Sequence, residues 1–582
     1  MHQWVLLPSL VEVNYVAGRT QLFDLHTDLT VPMIAVVLAF FASLIAAFIA
    51  VPMFSKIGKT VGLVDLPDNK RKLHTNAIPL IGGVAVFTST LFAVIFVTWL
   101  SINYQALFLK WSGPIDSLIF SDFQQLVVSV RPADKWELFG LLIGSTIILA
   151  VGVLDDRFAI RGRQKLLGQF IAATVLIFFN YHFDQVTFAG FTINFDVFSI
   201  VFVYGWVLAA VNSVNLLDGA DGIAGSIGIV MSFALGIMAI SLGHALNAII
   251  LFGFAGALLG FLKFNFPPAK VYLGDAGSML IGFVLAAMAI RGMSKQTSAF
   301  AFFAPLALLS IPFIDTTAAI IRRRLTGRSI FEVDRGHLHH SLMKRGYSPI
   351  ASILWVIALS LTTATGGVLS LINQQSIYAL VSIAVVLFVM MANRIFGNAE
   401  LKLVTRKASG LAQALLNKDS TENATNIRQS IVHVQGSRNW DDVWQQLSDF
   451  ADHSGLLELT LDLNAPWIHE SFHATRRRRD VASGGNHEWY AQIPLIAGER
   501  LFGRVEIVGS GEEKLTHHQI VEKLLTTTKV IEAGLLAENN STPGKLDQLE
   551  VPLTAENQPI DAVAADTTSQ TDLPNNEPVK AE

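Results

Sequence analysis

Long apolar runs separated by short polar segments recur between residues 31 and 393 of this chain. A helix that crosses a membrane needs roughly 20 mostly apolar residues. Eleven runs approach that length, at 31–53, 78–100, 136–154, 166–181, 196–213, 224–241, 244–262, 273–290, 299–321, 350–371 and 375–393. The pattern predicts an all-α polytopic membrane protein with about eleven transmembrane helices.

Composition supports this class. Charged residues make up 15% of the chain, whereas soluble domains carry about 25%, and the mean hydropathy is +0.48. The chain has no cysteine, which excludes disulfides and thiolate metal sites. Residues 1–30 lack the basic start of a cleaved signal peptide, so we expect a retained extracytoplasmic segment there.

Lys and Arg residues are distributed unevenly among the polar connections. Most of them fall in alternate connections, at 56–72, 157–165, 263–270 and 322–345. Cytoplasmic loops carry the positive excess in membrane proteins. We therefore expect these four connections in the cytoplasm and the N-terminus outside, and with eleven spans the C-terminal region is also cytoplasmic.

The region from 396 to 540 has the mixed pattern of a soluble domain. Helical spacing occurs at 439–452 and 516–538, and strand-like runs occur at 456–463, 487–496 and 500–509. This predicts a cytoplasmic α/β domain that resembles the GAF type. The acidic segment 541–582 is rich in Pro, Asn, Thr and Ala, which predicts a disordered tail.

A basic run, Arg476–Arg479, lies inside the predicted cytoplasmic domain. Such a run can bind anionic lipid headgroups. A solvated basic loop is the more ordinary interpretation.

The segment 212–225, NSVNLLDGADGIAG, places two carboxylates between apolar runs. An acidic side chain at the centre of a spanning helix costs about 2.5–3.5 kcal/mol on insertion scales. Asp218 and Asp221 are therefore candidates for a functional site at a hydrated membrane edge. The alternative is that Asn212, Asn215 and Asp218 only cap helix ends.

The segment 155–169 begins with two adjacent carboxylates, Asp155 and Asp156, and continues with basic residues that include Lys165. Neighbouring like charges do not both ionise easily unless a cation compensates them. This predicts a proton acceptor or a neighbour of a metal.

A third acidic motif, PAKVYLGDAGS, lies at the start of an apolar run and contains Lys270, Gly274, Asp275 and Ser278. Glycines at a helix start let backbone N–H groups approach phosphate. Asp275 can then hold an oxygen-preferring cation such as Mg²⁺. The alternative is a plain helix N-cap.

Two further segments carry basic groups. In the segment 64–83, Arg71, Lys72 and His74 offer a docking strip for an anionic headgroup or nucleotide, although positive anchoring at the membrane explains them equally well. In the segment 322–348, the nearby basic residues favour phosphate over Zn²⁺ as the ligand of the histidine cluster. The residues of this cluster are Arg335, His337, His339 and His340.

These motifs occur together and in order: Asp155-Asp156, RQKLLGQ ending at Gln169, NSVNLLDGADGIAG, PAKVYLGDAGS and HLHH at 337–340. In this the chain resembles the polyprenyl-phosphate N-acetylhexosamine-1-phosphate transferase family, over about residues 31–395. The resemblance implies a multi-pass enzyme of the bacterial inner membrane with its active site on the cytoplasmic face. Its partners would be a UDP-sugar and a polyprenyl phosphate, without nucleic acid.

The resemblance also implies residue roles. Asp275 would be the main Mg²⁺ ligand with Asn215 as its partner, Mn²⁺ being an alternative metal, and Lys165 would contact phosphate. Asp155 would deprotonate the lipid phosphate, and Asp156 would position the cation or the acceptor. The supporting and substrate-binding residues would be Asp218, Asp221, Arg71, Lys72, His74, Lys270, Gly274, Ser278, Arg335, His337, His339 and His340. Direct displacement and a covalent aspartyl intermediate both remain open.

The HLHH form is closer to the WecA and TagO branch of the family than to the MraY branch, which has three consecutive histidines. This implies transfer of N-acetylglucosamine-1-phosphate from UDP-N-acetylglucosamine to undecaprenyl phosphate, with release of UMP. Another UDP-N-acetylhexosamine or the phospho-MurNAc-pentapeptide is the alternative within the family. A homodimer and recruitment of later glycosyltransferases by the C-terminal domain are further arrangements to consider.

Two other classes of protein also have to be weighed. A secondary transporter places carboxylates and helix-starting glycines at broken spans, but near the midplane and within inverted repeats. The motifs of this chain map to one predicted face instead. A membrane anchor for the C-terminal domain would not need five aspartates at membrane edges, namely Asp155, Asp156, Asp218, Asp221 and Asp275.

Overall fold

The computed structural model separates the chain into two compact units. Its described residues are 32–66, 77–108, 121–126, 132–183, 185–188, 191–294, 298–325, 336–393, 427–435, 440–465, 470–478, 489–497, 500–511 and 515–538. The first unit comprises 1–321 and 337–398, and the second comprises 322–336 and 399–582.

The first unit is built from helices. They are α1 (Met33–Val61), α2 (Gly82–Phe108), α3 (Pro132–Phe158), α4 (Gly162–Phe178), α5 (Asp196–Leu217), α6 (Ile223–Ser241), α7 (Ala245–Asn265), α8 (Gly274–Ser294), α9 (Ala299–Leu325), α10 (Leu338–Lys344), α11 (Pro349–Ile372) and α12 (Ile377–Ala392). Two small antiparallel hairpins accompany them, β1 (Val64–Asp65) with β2 (Ile78–Pro79), and β3 (Gln185–Phe188) with β4 (Phe191–Asn194).

In the described residues, nine of these helices are long and apolar enough to cross a membrane. The prediction of a polytopic helical membrane protein is therefore confirmed. The predicted runs at 166–181 and 375–393 coincide with the shorter helices α4, of 17 residues, and α12, of 16 residues. The count of eleven spans stays a prediction.

Helix α8 forms the centre of the first unit. In its most apolar stretch of 18 residues, 94% of the residues are buried, and helices α2, α3, α5 and α6 pack around it. Glycines allow the closest approaches: a Cβ on Gly152 of α3 would lie 2.2 Å from the Cα of Ala276, and one on Gly83 would lie 2.4 Å from the backbone N of Gly277. The ends of α2 and α3 therefore meet the start of α8.

Backbone hydrogen bonds fix the segment that leads into α8. The backbone N–H of Gly82 donates to the carbonyl oxygen of Tyr272 at 3.0 Å, and that of Gly83 donates to the carbonyl of Leu273 at 3.0 Å. The N–H of Tyr272 donates to Pro79 at 2.9 Å. The start of α8 is thus held against the start of α2.

The second unit contains the elements β5 (Ile427–Gln435), α13 (Asp441–Ser454), β6 (Glu458–Ala465), β7 (Glu470–Arg478), β8 (Trp489–Ala497), β9 (Arg500–Gly509) and α14 (His517–Glu538). Its strands form a five-stranded antiparallel sheet in the order β5-β7-β6-β9-β8. Leu461, Phe472 and Val505 from the sheet share a buried core with Trp444 and Leu447 of α13. The predicted likeness to a GAF-type domain stays a prediction.

The structure corrects one local interpretation in this unit. Strands β5 and β7 were not predicted, and the described part of the basic run, Arg476–Arg478, lies in β7 rather than in a loop. Arg476 is 1% exposed and forms an ion pair with Asp452 of α13. In β7 this ion pair compensates the burial of Arg476, so that a charged residue occupies a position where an apolar one is expected. Arg479 lies outside the described residues.

The close contact at Gly152 generates a stability prediction. We expect Gly152→Ala to destabilise the protein by about 1–3 kcal/mol, because its methyl group overpacks the α3–α8 contact. Thermal unfolding of the purified protein in detergent measures the effect. Gly205→Ala, at an exposed position of α5, is the matched control, because a Cβ at position 205 would meet no atom within 4 Å. Equal unfolding temperatures for the two variants would contradict the prediction.

Candidate active site

Lys165, in the first turn of α4, is the centre of a polar cluster. Its Nζ lies 2.8 Å from Asp155 Oδ2, 2.6 Å from Asp275 Oδ2 and 3.2 Å from Asn215 Oδ1. An ammonium group has three donors, so each is matched by one acceptor. The acceptors belong to α3, α8 and α5, and the cluster therefore joins four helices.

The side-chain amide of Asn215 also holds the carboxylate of Asp275 in place. Asn215 Nδ2 donates to Asp275 Oδ1 at 2.7 Å and to Ser278 Oγ at 2.9 Å. Both oxygens of Asp275 are thus engaged, one by Lys165 and one by Asn215. Ser278 is fully buried, and its hydroxyl also contacts the carbonyl oxygen of Gly274 at 3.2 Å.

Asp156 binds the N-terminus of α8 rather than a side chain. Its carboxylate accepts hydrogen bonds from the backbone N–H groups of Asp275 at 2.8 Å and Ala276 at 3.2 Å. The first N–H groups of a helix have no partner within the helix, and a negative charge is favourable there. Gly274 has φ +73°, and a Cβ at this position would lie 2.6 Å from Asp156 Oδ2. Only glycine permits this capping contact between helices.

A polar cleft of about 340 Å³ lies at this helix junction. Five carboxylates line it: Asp65, Asp156, Asp218, Asp221 and Asp275. Asn265 and Tyr272 also face it. Asp65, Asn265 and Tyr272 were not among the residues chosen from the sequence, although Tyr272 lies within the PAKVYLGDAGS motif.

The cleft has an excess of negative charge. Burial raises the pKa of the Asp218 carboxyl well above its usual range, and the carboxylates of Asp275, Asp156 and Asp221 raise it further. Burial likewise raises the pKa of Tyr272 to about 12, with contributions from Asp221 and Asp65. Such a site favours a cation or a hydrogen-bond donor as its ligand.

The loop between α5 and α6 is tied to the loop that precedes α8. Asp221 Oδ2 accepts from the backbone N–H of Ala269 at 2.9 Å. Asn265 Oδ1 accepts from the N–H of Gly222 at 2.9 Å, and its Nδ2 donates to the carbonyl oxygen of Val271 at 3.0 Å. These bonds fix the acidic loop opposite Asp275. Lys270, on the same loop, has an exposed side chain.

A buried carboxylate anchors the histidine helix α10. Asp315 of α9 is 0% exposed, with Oδ2 2.8 Å from His337 Nδ1 and Oδ1 accepting from the backbone N–H of Leu338 at 2.9 Å. Asp315 was missed in the sequence, although a lone acid within an apolar run signals function. Its contacts fix both the ring of His337 and the start of α10.

His339 lies against the acidic loop. A Cβ on Gly219 would be 2.9 Å from two atoms of the His339 ring. The ring of His340 lies 4.1 Å from that ring, centroid to centroid, at an interplanar angle of 43°. Burial lowers the pKa of His339 well below its usual range, and His340 and His337 lower it further. Neither of its ring nitrogens has a hydrogen-bond partner among the described residues. The ring is therefore a neutral hydrogen-bonding group at the edge of the cleft.

The structure brings most of the predicted site residues to one junction. These are Asp155, Asp156, Lys165, Asn215, Asp218, Asp221, Gly274, Asp275, Ser278, and, through α10, His337, His339 and His340. Arg71, Lys72, His74 and Arg335 lie outside the described residues. The individual roles stay predictions.

The donor chemistry of the cleft fits Mg²⁺. No three acidic or histidine side chains among the described residues form a ready metal cage. Mg²⁺ is usually held by one or two carboxylates together with substrate phosphates and waters, so a complete protein cage is not required. Asp275 offers such a carboxylate, and Asp218 and Asp221 offer others across the cleft.

Comparison with known proteins agrees with this geometry. Residues 138–293 match the family model of glycosyl transferase family 4. The matched stretch includes Asp155, Lys165, Asn215 and Asp275, whose side chains make the central cluster. The resemblance to the polyprenyl-phosphate N-acetylhexosamine-1-phosphate transferases is confirmed.

Curated relatives match over more than half of the chain. The probable undecaprenyl-phosphate N-acetylglucosaminyl 1-phosphate transferase of Bacillus subtilis (strain 168) is 29% identical, over 55% of this chain and 81% of the relative. The undecaprenyl-phosphate alpha-N-acetylglucosaminyl 1-phosphate transferase of Escherichia coli (strain K12) is 28% identical, over 56% and 82%. The decaprenyl-phosphate N-acetylglucosaminephosphotransferase of Mycobacterium tuberculosis (strain ATCC 25618 / H37Rv) is 28% identical, over 55% and 78%.

The cap on α8 generates a prediction. We expect Asp156→Ala to destabilise the protein by about 0.5–2 kcal/mol, because two backbone N–H groups of α8 lose their acceptor. Asp156→Asn keeps one acceptor oxygen and should lose less. Thermal unfolding in detergent ranks the variants, and an Asp156→Ala protein as stable as the wild type would contradict the capping role.

The contacts of Asp315 with His337 and Leu338 generate a second prediction for this site. The chain has no cysteine, so His340→Cys creates a unique thiol on α10 that a maleimide can label. We expect Asp315→Ala to speed this labelling several-fold, because the start of α10 loses the contacts that Asp315 makes with His337 and Leu338. Each buried polar group left without a partner costs about 1–3 kcal/mol. Asp315→Asn, which is nearly isosteric, is the matched control. Equal labelling rates in the presence and absence of Asp315→Ala would show that the anchor does not hold α10.

Proposed function

We propose that this protein transfers N-acetylglucosamine-1-phosphate from UDP-N-acetylglucosamine to undecaprenyl phosphate and releases UMP. One observation carries the proposal: a cleft lined by five carboxylates lies at the junction of membrane helices, with Lys165 held at its edge by Asp155 and Asp275. A cation and a pyrophosphate suit such a cleft. The names of the three relatives support the donor and the lipid acceptor.

The reaction requires one bond to form and one to break. An oxygen of the lipid phosphate attacks the β-phosphorus of the UDP-sugar, and the bond from this phosphorus to the oxygen that bridges it to the α-phosphate breaks. UMP leaves with that oxygen, and the sugar phosphate becomes linked to the lipid phosphate. When the lipid phosphate carries a proton at the working pH, Asp155 accepts it.

The other groups have distinct tasks in this proposal. Lys165 compensates negative charge on the transferring phosphate, a role for which its ammonium is already oriented by Asp155 and Asp275. Asp275 would hold Mg²⁺, with Asn215, Asp218 and Asp221 nearby, and the bound ion would supply positive charge against the pyrophosphate. In this proposal His337, His339 and His340 bind the sugar or nucleotide part of the donor, and Arg335 is assigned the same task from its motif alone.

The proposal includes the placement of the site. The cleft faces the cytoplasm of a bacterial inner-membrane protein with eleven spans and an outer N-terminus. This placement is supported by the basic connections at 157–165 and 263–270, which adjoin the cleft segments. The product would start a lipid-linked surface glycan such as a polysaccharide, a lipopolysaccharide or a teichoic acid.

The first test follows UMP. Purified protein in detergent receives undecaprenyl phosphate, UDP-N-acetylglucosamine and Mg²⁺. We expect UMP release that needs both substrates and stops with a chelator, and we expect Asp275→Ala to lower its rate by at least about 100-fold, the loss typical of a residue that stabilises transition-state charge. Gly205→Ala, on the exposed side of α5, is the control for handling and folding.

The donor series distinguishes the alternatives. Turnover only with another UDP-N-acetylhexosamine or with UDP-MurNAc-pentapeptide would keep the reaction and replace the sugar. No turnover by folded protein with any of these donors would overturn the transferase proposal.

A further inference from the structure

Two amide side chains lie one layer deeper than Lys165, between α4 and α5. Asn212 Nδ2 donates to Gln169 Oε1 at 2.7 Å, and Gln169 Nε2 donates to Asn212 Oδ1 at 3.3 Å. Asn212 Nδ2 also donates to the carbonyl oxygen of Leu208 at 2.8 Å, which fixes the orientation of its amide. We call this reciprocal pair, Gln169 with Asn212, the amide clasp.

The clasp stands next to the catalytic contact on both helices. Gln169 follows Lys165 by four residues on α4, and Asn212 precedes Asn215 by three residues on α5. Residues three or four apart lie on the same face of a helix. Lys165–Asn215 and Gln169–Asn212 are therefore successive contacts between two antiparallel helices.

A third polar contact lies farther along the same two helices. Thr174 Oγ1 and Tyr204 Oη are 2.9 Å apart, and the ring of Tyr204 stacks on Phe170 at 4.2 Å. This contact is exposed, whereas Gln169 is 0% exposed. It provides a comparison within the same pair of helices, away from the cleft.

Burial makes the clasp sensitive to helix register. An amide in apolar surroundings is unfavourable unless it is hydrogen-bonded, and a shift of α4 along α5 would break both bonds of the pair. Lysine has a long, flexible side chain, so the position of its ammonium depends on where the backbone of α4 is held. A misplacement of about 1 Å can cost about 100-fold in rate.

We propose that the amide clasp is a positioning device that sets the reach of Lys165 and Asn215 toward Asp275. Gln169 and Asn212 act through those residues and touch neither substrate. This inference rests on the proposed transferase function, and it assigns a role to the last residue of the RQKLLGQ motif that the cleft itself does not use.

The kinetic test compares amide removal with amide exchange. We expect Gln169→Leu and Asn212→Leu each to lower kcat about tenfold or more, with the KM for UDP-N-acetylglucosamine changed less than about twofold. The double exchange Gln169→Asn with Asn212→Gln keeps both amides and their summed length, and should recover much of kcat. Tyr204→Phe removes the hydroxyl of the outer contact, keeps the stacked ring, and should retain wild-type kcat.

A second comparison separates positioning from general damage. In a Lys165→Arg background, Gln169→Leu should cause a much smaller further loss of kcat, because residues that act through one contact are not additive. Loss of folded protein would instead lower activity by the same factor in both backgrounds. Equal losses in Gln169→Leu and Tyr204→Phe, or an unchanged kcat in Gln169→Leu, would overturn the proposal.

A readout without turnover keeps the inference distinct from the proposed function. Acylation of Lys165 by an amine-reactive reagent, followed by peptide mass spectrometry, reports how firmly its ammonium is held. We expect Gln169→Leu to speed acylation several-fold and Tyr204→Phe to leave it unchanged. If the wild type releases no UMP with any donor, the transferase function fails, yet faster acylation in Gln169→Leu still supports positioning. Unchanged acylation overturns the clasp in either case.

Discussion

The ion pair between Lys165 and Asp275 is the interaction on which the rest of the candidate site depends. The two residues are 110 positions apart in the chain and 2.6 Å apart in space. A partly buried ammonium or carboxylate without a partner is unfavourable. Here each compensates the other, and Asp155 and Asn215 provide further partners. Four helices are consequently held at one point, and the acidic cleft opens beside it.

Close helix packing makes this arrangement geometrically feasible. The Asp156 carboxylate reaches the first N–H groups of α8 because Gly274 leaves room for it. Gly83 and Gly152 bring α2 and α3 to the same helix start. Small residues at helix contacts commonly permit this in membranes. Gly274, which the sequence analysis interprets as part of a phosphate-binding helix start, also makes room for Asp156.

The site combines a rigid scaffold with unbalanced charge. The hydrogen bonds of Asp221, Asn265 and Asp315 join loops and the short helix α10 to the membrane helices. They hold in place a cleft whose carboxylates repel one another. A bound cation would relieve that repulsion and allow an anionic phosphorylated substrate to approach. A preorganised polar cleft of this kind suits phosphoryl transfer, where catalysis is mostly positioning and charge stabilisation.

The sequence by itself determined the membrane class, the positions of the apolar helices and the polar types at their ends. The length of an apolar run and the high cost of a charge in lipid depend on the local sequence alone. Membrane helices and the polar residues at their ends can therefore be predicted without knowing which residues they contact. Most elements of the C-terminal unit were also legible from periodicity. Strands β5 and β7 were not predicted, and in β7 the buried Arg476, paired with Asp452, interrupts the apolar alternation of a strand.

Only the tertiary structure decided which of these polar groups meet. Asp156 could have held a cation, yet its oxygens bind the backbone of α8. Asp315 lies within an apolar run of the sequence, and only the structure places it beside His337. Gln169 could be chosen from a motif but not assigned a partner until α4 and α5 were packed. Such contacts depend on the register and crossing of helices that are far apart in the chain, and local patterns carry no record of either.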